Sequence, residues 1–283
     1  MTNIDQFESL FKKADKPRFH LEELKLSSFL VVSDGDQVLT DQFSARAGGF
    51  LGEVVANRDV KWHKIEGRQY TSVSDLLRQV DAIEPDLICT YRNLHAPLSD
   101  YPYSLGAYLD VMSQVTPIPV LVLPSPLHDG AIPTSTNAVM AVTDHLTGDD
   151  HLVSYAARLT ARHGKLLLTH VEDELTFERY AEVISKIPSI ETDSARQAIR
   201  EQLLDEPHDY VKSCSAVLAE QGLPIQLEEV VTLGHSLRDY KRLIDEHRVD
   251  LVVLNTKQED QMAMHGLAYP LCVELRETPL LML

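Results

Sequence analysis

The stretch AVMAVTDHLTGDDHLVSYAARLTARHGKLLLTHV, residues 138–171, contains the pattern that decides the fold. Its two ends, Ala138 to Val142 and Lys165 to Thr169, are apolar almost throughout, which is typical of strands buried on both faces of a parallel sheet. Between them, His151 to Arg162 is predicted to be a helix that ends at Gly164. Its apolar face consists of Leu152, Tyr155, Ala156 and Leu159. The stretch therefore predicts a β-α-β unit of a doubly wound α/β sheet.

The same order of elements occurs twice along the chain, and this repeat predicts two tandem units. The opening strand of each unit ends in an acid, Asp34 in the first and Asp144 in the second. A later strand of each unit begins with Asp-Leu, at Asp86 and at Asp250. Further strand-like runs are Phe29–Ser33, Val120–Leu123, Leu227–Leu233 and Leu280–Leu283. We therefore expect two tandem, doubly wound parallel sheets of the Rossmann-like class.

Prolines indicate where the two units meet, since five of the 14 prolines fall within residues 117–133. The predicted domains are an N-terminal helical segment, a first unit and a second unit, over residues 1–27, 28–130 and 131–283. The first unit is shortened, because it has no room for the strand and helix that occupy 165–222 in the second. We expect the closing strands near 120–123 and 280–283 to pair edge to edge, because an unpaired apolar edge invites aggregation.

The composition is that of an acidic globular protein with a formal net charge of −17 at pH 7. Such a field repels phosphate backbones, so we expect no nucleic-acid partner. No apolar run approaches the ~20 residues that span a bilayer, so we expect no membrane insertion. The N-terminus shows no signal-peptide pattern, and Cys89, Cys214 and Cys272 are widely spaced. Together these features predict a cytoplasmic protein.

Residues 138–171 resemble the opening β-α-β of the universal stress protein family. The closing stretch DLVVLNT…HGLAYPLCVELRETPLLML, which begins at Asp250, resembles the end of the same family's fold. The resemblance covers essentially all of 137–283 and, more weakly, 28–124. It implies a tandem member of the family with a sheet order of 3-2-1-4-5 in each unit, and a role in stress response.

ATP-binding members of that family carry G-x-x-G-x(9)-G-[ST] after the fourth strand, because backbone amides must approach phosphates without a Cβ in the way. The second unit instead has Asn255 and Thr256 at this point, and no glycine before Gly266. Leu267, rather than Ser or Thr, follows that glycine. The first unit likewise has no glycine before Gly106. We therefore predict weak or absent ATP binding and expect no cofactor.

Parts of a nucleotide pocket are nevertheless retained. The resemblance assigns an acid after the first strand to the pocket, Asp144 in the second unit and Asp34 as its counterpart in the first. Val171 matches the residue whose backbone contacts adenine in the family. If ATP or AMP binds, its second-unit contacts would be Asp144, Val171, Asn255, Thr256 and Gly266. The alternative function is therefore an ATP- or AMP-binding stress protein with slow ATP hydrolysis.

Other polar groups give weaker signals for chemistry. His145 and His170 follow neighbouring strands, each beside an acid, and imidazole with carboxylate suits zinc. Strand-end histidines are ordinary, however, so we predict no metal site. Gly-His-Ser at 234–236 has some likeness to a nucleotidyl-transferase histidine motif, but a helix N-cap by Ser236 explains it better. No Ser/His/Asp or Cys/His set is placed for nucleophilic work, so we predict that the chain is not an enzyme.

The stretch from Leu175 to Gly222 is longer than the family core requires. From Glu172 to Glu229 there are 14 acids and five bases. Its central part has a narrow apolar stripe, formed by Ala195, Ile199 and Leu203. Two hypotheses remain open, a helical hairpin packed on its own sheet or an interface, and a predicted helix near 4–13 poses the same question. We expect a regulatory protein that acts through contacts with a protein partner or a second copy, with a homodimer favoured.

Overall fold

The computed structural model describes residues 17–56, 59–96, 103–126, 132–143, 145–256 and 266–283. Over these residues the chain forms one nine-stranded sheet with flanking helices. The strands are β1 (Ser28–Val32), β2 (Lys61–Ile65), β3 (Leu87–Thr90), β4 (Val120–Val122), β5 (Ala138–Val142), β6 (Lys165–Asp173), β7 (Gln226–Gly234), β8 (Leu251–Leu254) and β9 (Leu280–Met282). The helices are α1 (Gln37–Phe50), α2 (Gly52–Val55), α3 (Val73–Ile83), α4 (Ala107–Val115), α5 (Asp150–Leu159), α6 (Glu174–Ser185), α7 (Thr192–Glu220), α8 (Ser236–His247) and α9 (Ala268–Glu274), with a 3₁₀ turn over Gly67–Gln69.

The strand order agrees with the prediction in the second unit and differs from it in the first. In the second unit the order is β7-β6-β5-β8-β9, which is the predicted 3-2-1-4-5. In the first unit it is β2-β1-β3-β4, which differs from that order by the absence of its second strand, as the predicted shortening implies. Only α1 and α2 lie between β1 and β2 in the described chain, so no strand is available to separate them. β2 therefore pairs directly with β1, from Ser28↔Lys61 to Val32↔Ile65.

The two units share one continuous sheet rather than forming the two separate sheets that we expected. β4 pairs antiparallel with β9, with Leu121 opposite Leu281, and this confirms the predicted edge-to-edge pairing of the closing strands. The other strand pairs are parallel. We call this β4–β9 pair the joint. All residues of β4 and β9 are buried, so the joint is part of the hydrophobic core.

Residues 17–27 enter the fold as an extended segment without helix or strand. The predicted helical segment over 1–27 is therefore wrong for its described part, and the helix predicted near 4–13 lies outside the described residues. Phe19 is 2% exposed, and its backbone N–H donates to Oγ of Ser213 at 3.1 Å. That amide thus bonds to a side chain of the second unit instead of to a helical carbonyl.

The long insertion of the second unit forms α6 and α7. The buried residues of α7 are Pro207, Tyr210, Val211, Cys214 and Leu218, all in its later part. Residues 192–206 contain none, and this earlier part of α7 packs beside α6. There the Arg196 guanidinium lies 5.6 Å from the ring centroid of Phe177 and forms an ion pair with Glu178. We call residues 174–206 the acidic hairpin.

Candidate functional site

The predicted nucleotide-site residues of the second unit follow neighbouring strands of the sheet. Val171 lies near the end of β6, and Asn255 and Thr256 follow β8. These strands flank β5, so the parallel topology brings their carboxyl ends to one edge, where open α/β sheets bind ligands. The predicted acid Asp144 lies outside the described residues. The described residues of the predicted site are therefore Val171, Asn255, Thr256 and Gly266.

Both backbone polar groups of Val171 are used within the protein. Its N–H donates to the hydroxyl of Tyr240 at 3.1 Å, and its carbonyl accepts from the hydroxyl of Ser236 at 3.3 Å. The Tyr240 hydroxyl in turn donates to the carbonyl of Thr143 at 3.2 Å. The pairing of β5 with β6 ends at Val142 and Thr169, so the Tyr240 hydroxyl bridges the segments that follow these two strands. Tyr240 is fully buried at this edge of the sheet.

Asn255 and Thr256 are also engaged in internal bonds. Nδ2 of Asn255 donates to Oδ2 of Asp149 at 2.6 Å, and Oδ1 of Asp149 caps α5. Burial raises the pKa of Asp149, although the bonds from Leu152 and Asn255 partly offset this effect. The Thr256 hydroxyl lies 2.7 Å from the carbonyl of Leu283 in its own unit. It also lies 3.3 Å from the carbonyl of Ser113 in the first unit. Thr256 therefore links the second unit to the first.

Gly266 lies apart from that set. It has a φ of +59°, which favours glycine, and it lines an open cavity of about 790 Å³ beside the start of α8. Other residues that line this cavity are Asp173, His235, Ser236, Arg238, Lys241 and Pro270. Val171, Asn255 and Thr256 do not line it, so the described structure does not gather the predicted nucleotide contacts around one cavity.

The first unit closes its edge with a different tyrosine. Asp34, the counterpart acid, accepts a bond from the hydroxyl of Tyr91, and its other oxygen accepts from the N–H of His95 at 2.8 Å. The Tyr91 hydroxyl also lies 3.0 Å from Oγ of Ser33. Burial, followed by the bond to Asp34, raises the pKa of Tyr91 to about 12, so the phenol is neutral at physiological pH. No sequence pattern identifies Tyr91 as a site residue, because in the sequence this position differs from the family motif only by the absence of a glycine.

The histidines and Ser236 have local roles. His170 is 2% exposed, and its Nε2 lies 3.1 Å from Glu172, whereas His145 is exposed. Within the described ranges no group of three or more metal-ligating side chains is assembled. The predicted N-cap role of Ser236 is wrong, because α8 begins at Ser236 itself and His235 precedes it as the cap residue. The Ser236 hydroxyl bonds to Val171 instead, while Asp239 accepts from the His235 N–H at 2.7 Å.

The predicted interface stripe of Ala195, Ile199 and Leu203 is half-buried, so its role as an interface stays a prediction. More exposed apolar side chains occur on α6 and in the short segment that follows it within the acidic hairpin. They are Leu175, Tyr180, Val183, Ile187 and Ile190, with exposures of 65%, 58%, 56%, 40% and 40%. The predicted stripe lies on α7 and does not include any of these residues. The set is a candidate contact surface, which we call the α6 face.

No protein-family model matches the chain, and no curated protein matches it. Solved structures do. A universal stress protein from Archaeoglobus fulgidus aligns over 90% of this chain and 95% of its own, with a TM-score of 0.51 and 12% identity. A protein of unknown function from Pseudomonas aeruginosa PAO1 aligns over 91% and 92%, with a TM-score of 0.52 and 14% identity. The chain has the fold of a universal stress protein.

Identities of this size show the fold and do not transfer a ligand. The universal stress protein fold of this chain has a tyrosine hydroxyl at the sheet edge of each unit, Tyr91 in the first and Tyr240 in the second. None of its described helices is both long and apolar enough to cross a membrane.

Proposed function

We propose that the chain is a tandem, universal-stress-type regulatory protein of the cytoplasm, which acts through protein contacts and binds nucleotide weakly or not at all. The observation that carries the proposal is the internal use of both backbone groups of Val171 by Tyr240 and Ser236. An adenine that used the N–H of Val171 would have to break its bond to Tyr240 and displace a fully buried ring. Each such bond contributes about 1 kcal/mol, and burial of the ring contributes more.

The nucleotide part of the proposal is tested by calorimetry with ATP and with AMP. We expect no saturable binding to the wild-type protein at micromolar nucleotide. Tyr240→Ala, which removes the ring and hydroxyl that close the edge, is the variant in which weak binding would first become measurable. Tyr91→Ala makes the equivalent change in the first unit and serves as the matched comparison. A sub-micromolar dissociation constant for ATP in the wild-type protein would contradict the proposal.

The alternative is an ATP- or AMP-binding protein that hydrolyses ATP slowly in the second unit. A phosphate-release assay distinguishes it from our proposal. Slow release that is abolished by Asp144→Ala and retained in Asp34→Ala would favour the alternative. We expect no release above the background in any of the three proteins.

The protein-contact part of the proposal is supported by the α6 face. Five large apolar side chains are exposed on one hairpin, and clustered exposure of this kind marks interaction surfaces. The acidic hairpin contains eight acids and four bases, so two hairpins brought together would repel each other. This charge favours a partner with basic residues around an apolar centre over a second copy of the chain.

The double variant Tyr180→Ser, Val183→Ser tests this surface. Its matched control is Val38→Ser, Val115→Ser, because those two valines are 64% and 61% exposed but lie outside the hairpin. We expect the hairpin variant to keep its circular dichroism spectrum and melting temperature but to lose partner capture, while the control retains it. Light scattering on both variants shows whether the lost contact is a homodimer. Unchanged capture and unchanged mass in the hairpin variant would contradict a contact at the α6 face.

A further inference from the structure

A second cavity lies where the two units meet, at the end of β4 and the end of α9. Its volume is about 480 Å³. Its first-unit lining consists of Arg92, Leu123, Pro124 and Ser125, and its second-unit lining of Lys241, Asp245 and Glu274–Thr278. The cavity is thus made by both units and is separate from the residues that close the nucleotide edge.

Arg92 is a buried cation in the wall of this cavity. Its side chain is nine-tenths buried, with the residue 8% exposed, and Nη2 donates to the carbonyl of Leu275 at 2.7 Å. Nη1 is buried and has no hydrogen-bond partner within the described residues. Burial lowers the pKa of Arg92 to about 10, so the group remains charged at neutral pH. An unsatisfied, charged donor in this environment is costly unless an acceptor approaches it.

Arg276 provides a second guanidinium on the same cavity. It lies close enough to Arg92 to oppose its protonation, and its own guanidinium is 5.1 Å from the ring centroid of Tyr103. In the part of the chain that the structure describes, neither arginine has a carboxylate within 4.0 Å. Lys241, by contrast, is paired with Glu274 at 2.8 Å. Arg92 and Arg276 thus present two guanidiniums to a cavity whose lining also contains the carboxylates of Asp245, Glu274 and Glu277.

We propose that this cavity binds a small oxyanion, the phosphate or carboxylate group of a small molecule, between Arg92 and Arg276. Guanidinium groups match the oxygens of both groups in geometry and charge. The anion would supply the acceptor that Nη1 of Arg92 lacks within the described residues. Asp245 and Glu277 also line the cavity, but both are exposed, so solvent screens their repulsion of the anion.

The test is calorimetry of the whole protein with inorganic phosphate, and separately with acetate, at constant ionic strength set by chloride. We expect saturable binding of at least one anion to the wild-type protein. Arg92→Gln should weaken it roughly tenfold, as loss of a charge-assisted hydrogen bond implies. Arg276→Gln should weaken it by a smaller factor. The matched control is Arg68→Gln, since the Arg68 side chain is 82% exposed and lies outside the cavity lining.

Preference for phosphate assigns a phosphoryl ligand, and preference for acetate assigns a carboxylate. If Arg92→Gln does not fold because its bond to Leu275 is lost, Arg276→Gln carries the test, because that side chain is exposed. No saturable binding of either anion, or equal weakening in Arg68→Gln, overturns the proposal. Neither result bears on nucleotide binding at Val171 or on the α6 face, so the two proposals can fail independently.

Discussion

The two units close the same edge of the sheet with tyrosines that come from different elements. Tyr91 directly follows β3 and bonds to Asp34, whereas Tyr240 lies within α8 and bonds to the backbone of Val171. The first solution satisfies a carboxylate, and the second satisfies a backbone amide and a backbone carbonyl. Closure is therefore a result of packing in each unit and does not depend on one repeated motif.

The residues that follow β3 and β8 show a second parallel between the units. Arg92 reaches the carbonyl of Leu275 at the end of α9, and Thr256 reaches the carbonyl of Ser113 in α4. Each contact crosses from one unit to the other. In the ATP-binding members that the chain resembles, the loop after this strand is used for phosphates. Here Arg92 and Thr256, at the start of that loop, bond to the other unit.

The largest expected effect concerns the joint, where the two units depend on each other. Deletion of residues 279–283 removes β9 and leaves one edge of β4 and one edge of β8 unpaired. Exposed apolar edges aggregate, so we expect insoluble protein on expression. Leu281→Asp should have the same result, because Leu281 is fully buried. The matched control is Leu227→Asp on the outer strand β7, where the side chain is only half-buried. A soluble, monomeric deletion variant would contradict the role of the joint.

The glycines before α4 and α9 allow a direct comparison of the units. Gly106 has φ +85° and ψ +150°, and an added Cβ would lie 2.7 Å from the backbone Cα of Asn93. Gly266 has φ +59°, in the ordinary left-handed region. Gly106→Ala should therefore cost about 3 kcal/mol of unfolding free energy, and Gly266→Ala about 1 kcal/mol. Urea denaturation of both variants measures the difference. Equal costs would show that Asn93 yields to the new methyl group.

The sequence predicts the strand order of the second unit because each of its strands is an unbroken apolar run between clear helices. In the first unit the predicted shortening leaves out the second strand, and β2 therefore pairs directly with β1. The hydrogen bonds of Tyr240 show a limit of prediction from sequence. Helical periodicity predicts that Tyr240 faces inward, which is confirmed by its 0% exposure. Its hydroxyl, however, bonds to a residue 69 positions away, and no local pattern contains that contact.

Removal of the two tyrosine hydroxyls should sharpen the contrast between the closed edges. Tyr91→Phe deprives the Asp34 carboxylate, the Asp34 N–H and Oγ of Ser33 of one shared partner. Tyr240→Phe deprives the Val171 N–H and the Thr143 carbonyl of their shared partner. Because one of the lost bonds in the first unit is made to a charged group, we expect a cost of about 2 kcal/mol there and about 1 kcal/mol in the second.

Both phenylalanine variants keep the aromatic ring, so changes in packing should be small and the hydroxyl bonds should dominate the result. The unfolding free energies come from urea titration at neutral pH, with Tyr269→Phe as a control on a tyrosine that is 43% exposed. A larger cost for Tyr240→Phe than for Tyr91→Phe would reverse the ranking of the two closures. It would also indicate that the backbone bridge between β5 and β6 is the stronger of the two.

The smallest expected effect concerns Asp86 and Asp250, which stand directly before β3 and β8 in matching positions. Oδ2 of Asp86 accepts bonds from the N–H groups of Ser27 and Ser28 at 2.8 and 2.9 Å. Burial pushes the pKa of Asp86 upward, but these bonds, the Ser27 hydroxyl and Lys25 outweigh it and leave that pKa below its ordinary value. For Asp250, burial raises the pKa, and the bond from the Ala138 N–H at 2.9 Å does not offset it.

Opposite pKa shifts imply opposite dependence of stability on pH. A carboxyl with a lowered folded pKa stabilises the fold above its unfolded pKa of about 3.9, and this contribution is lost as the pH falls through the folded pKa. A carboxyl with a raised folded pKa opposes folding at neutral pH, and that penalty is relieved as the pH falls through the folded pKa.

At pH 7, Asp86→Asn should therefore be less stable than the wild-type protein, and Asp250→Asn equally or more stable. Each difference should be under about 1 kcal/mol, since both carboxyls retain some solvent contact. Urea midpoints measured from pH 7 to pH 3 should bring both variants back toward the wild-type curve from opposite sides. If both variants lie on the same side at pH 7, loss of the hydrogen bonds outweighs the titration, and the contrast between the two positions is wrong.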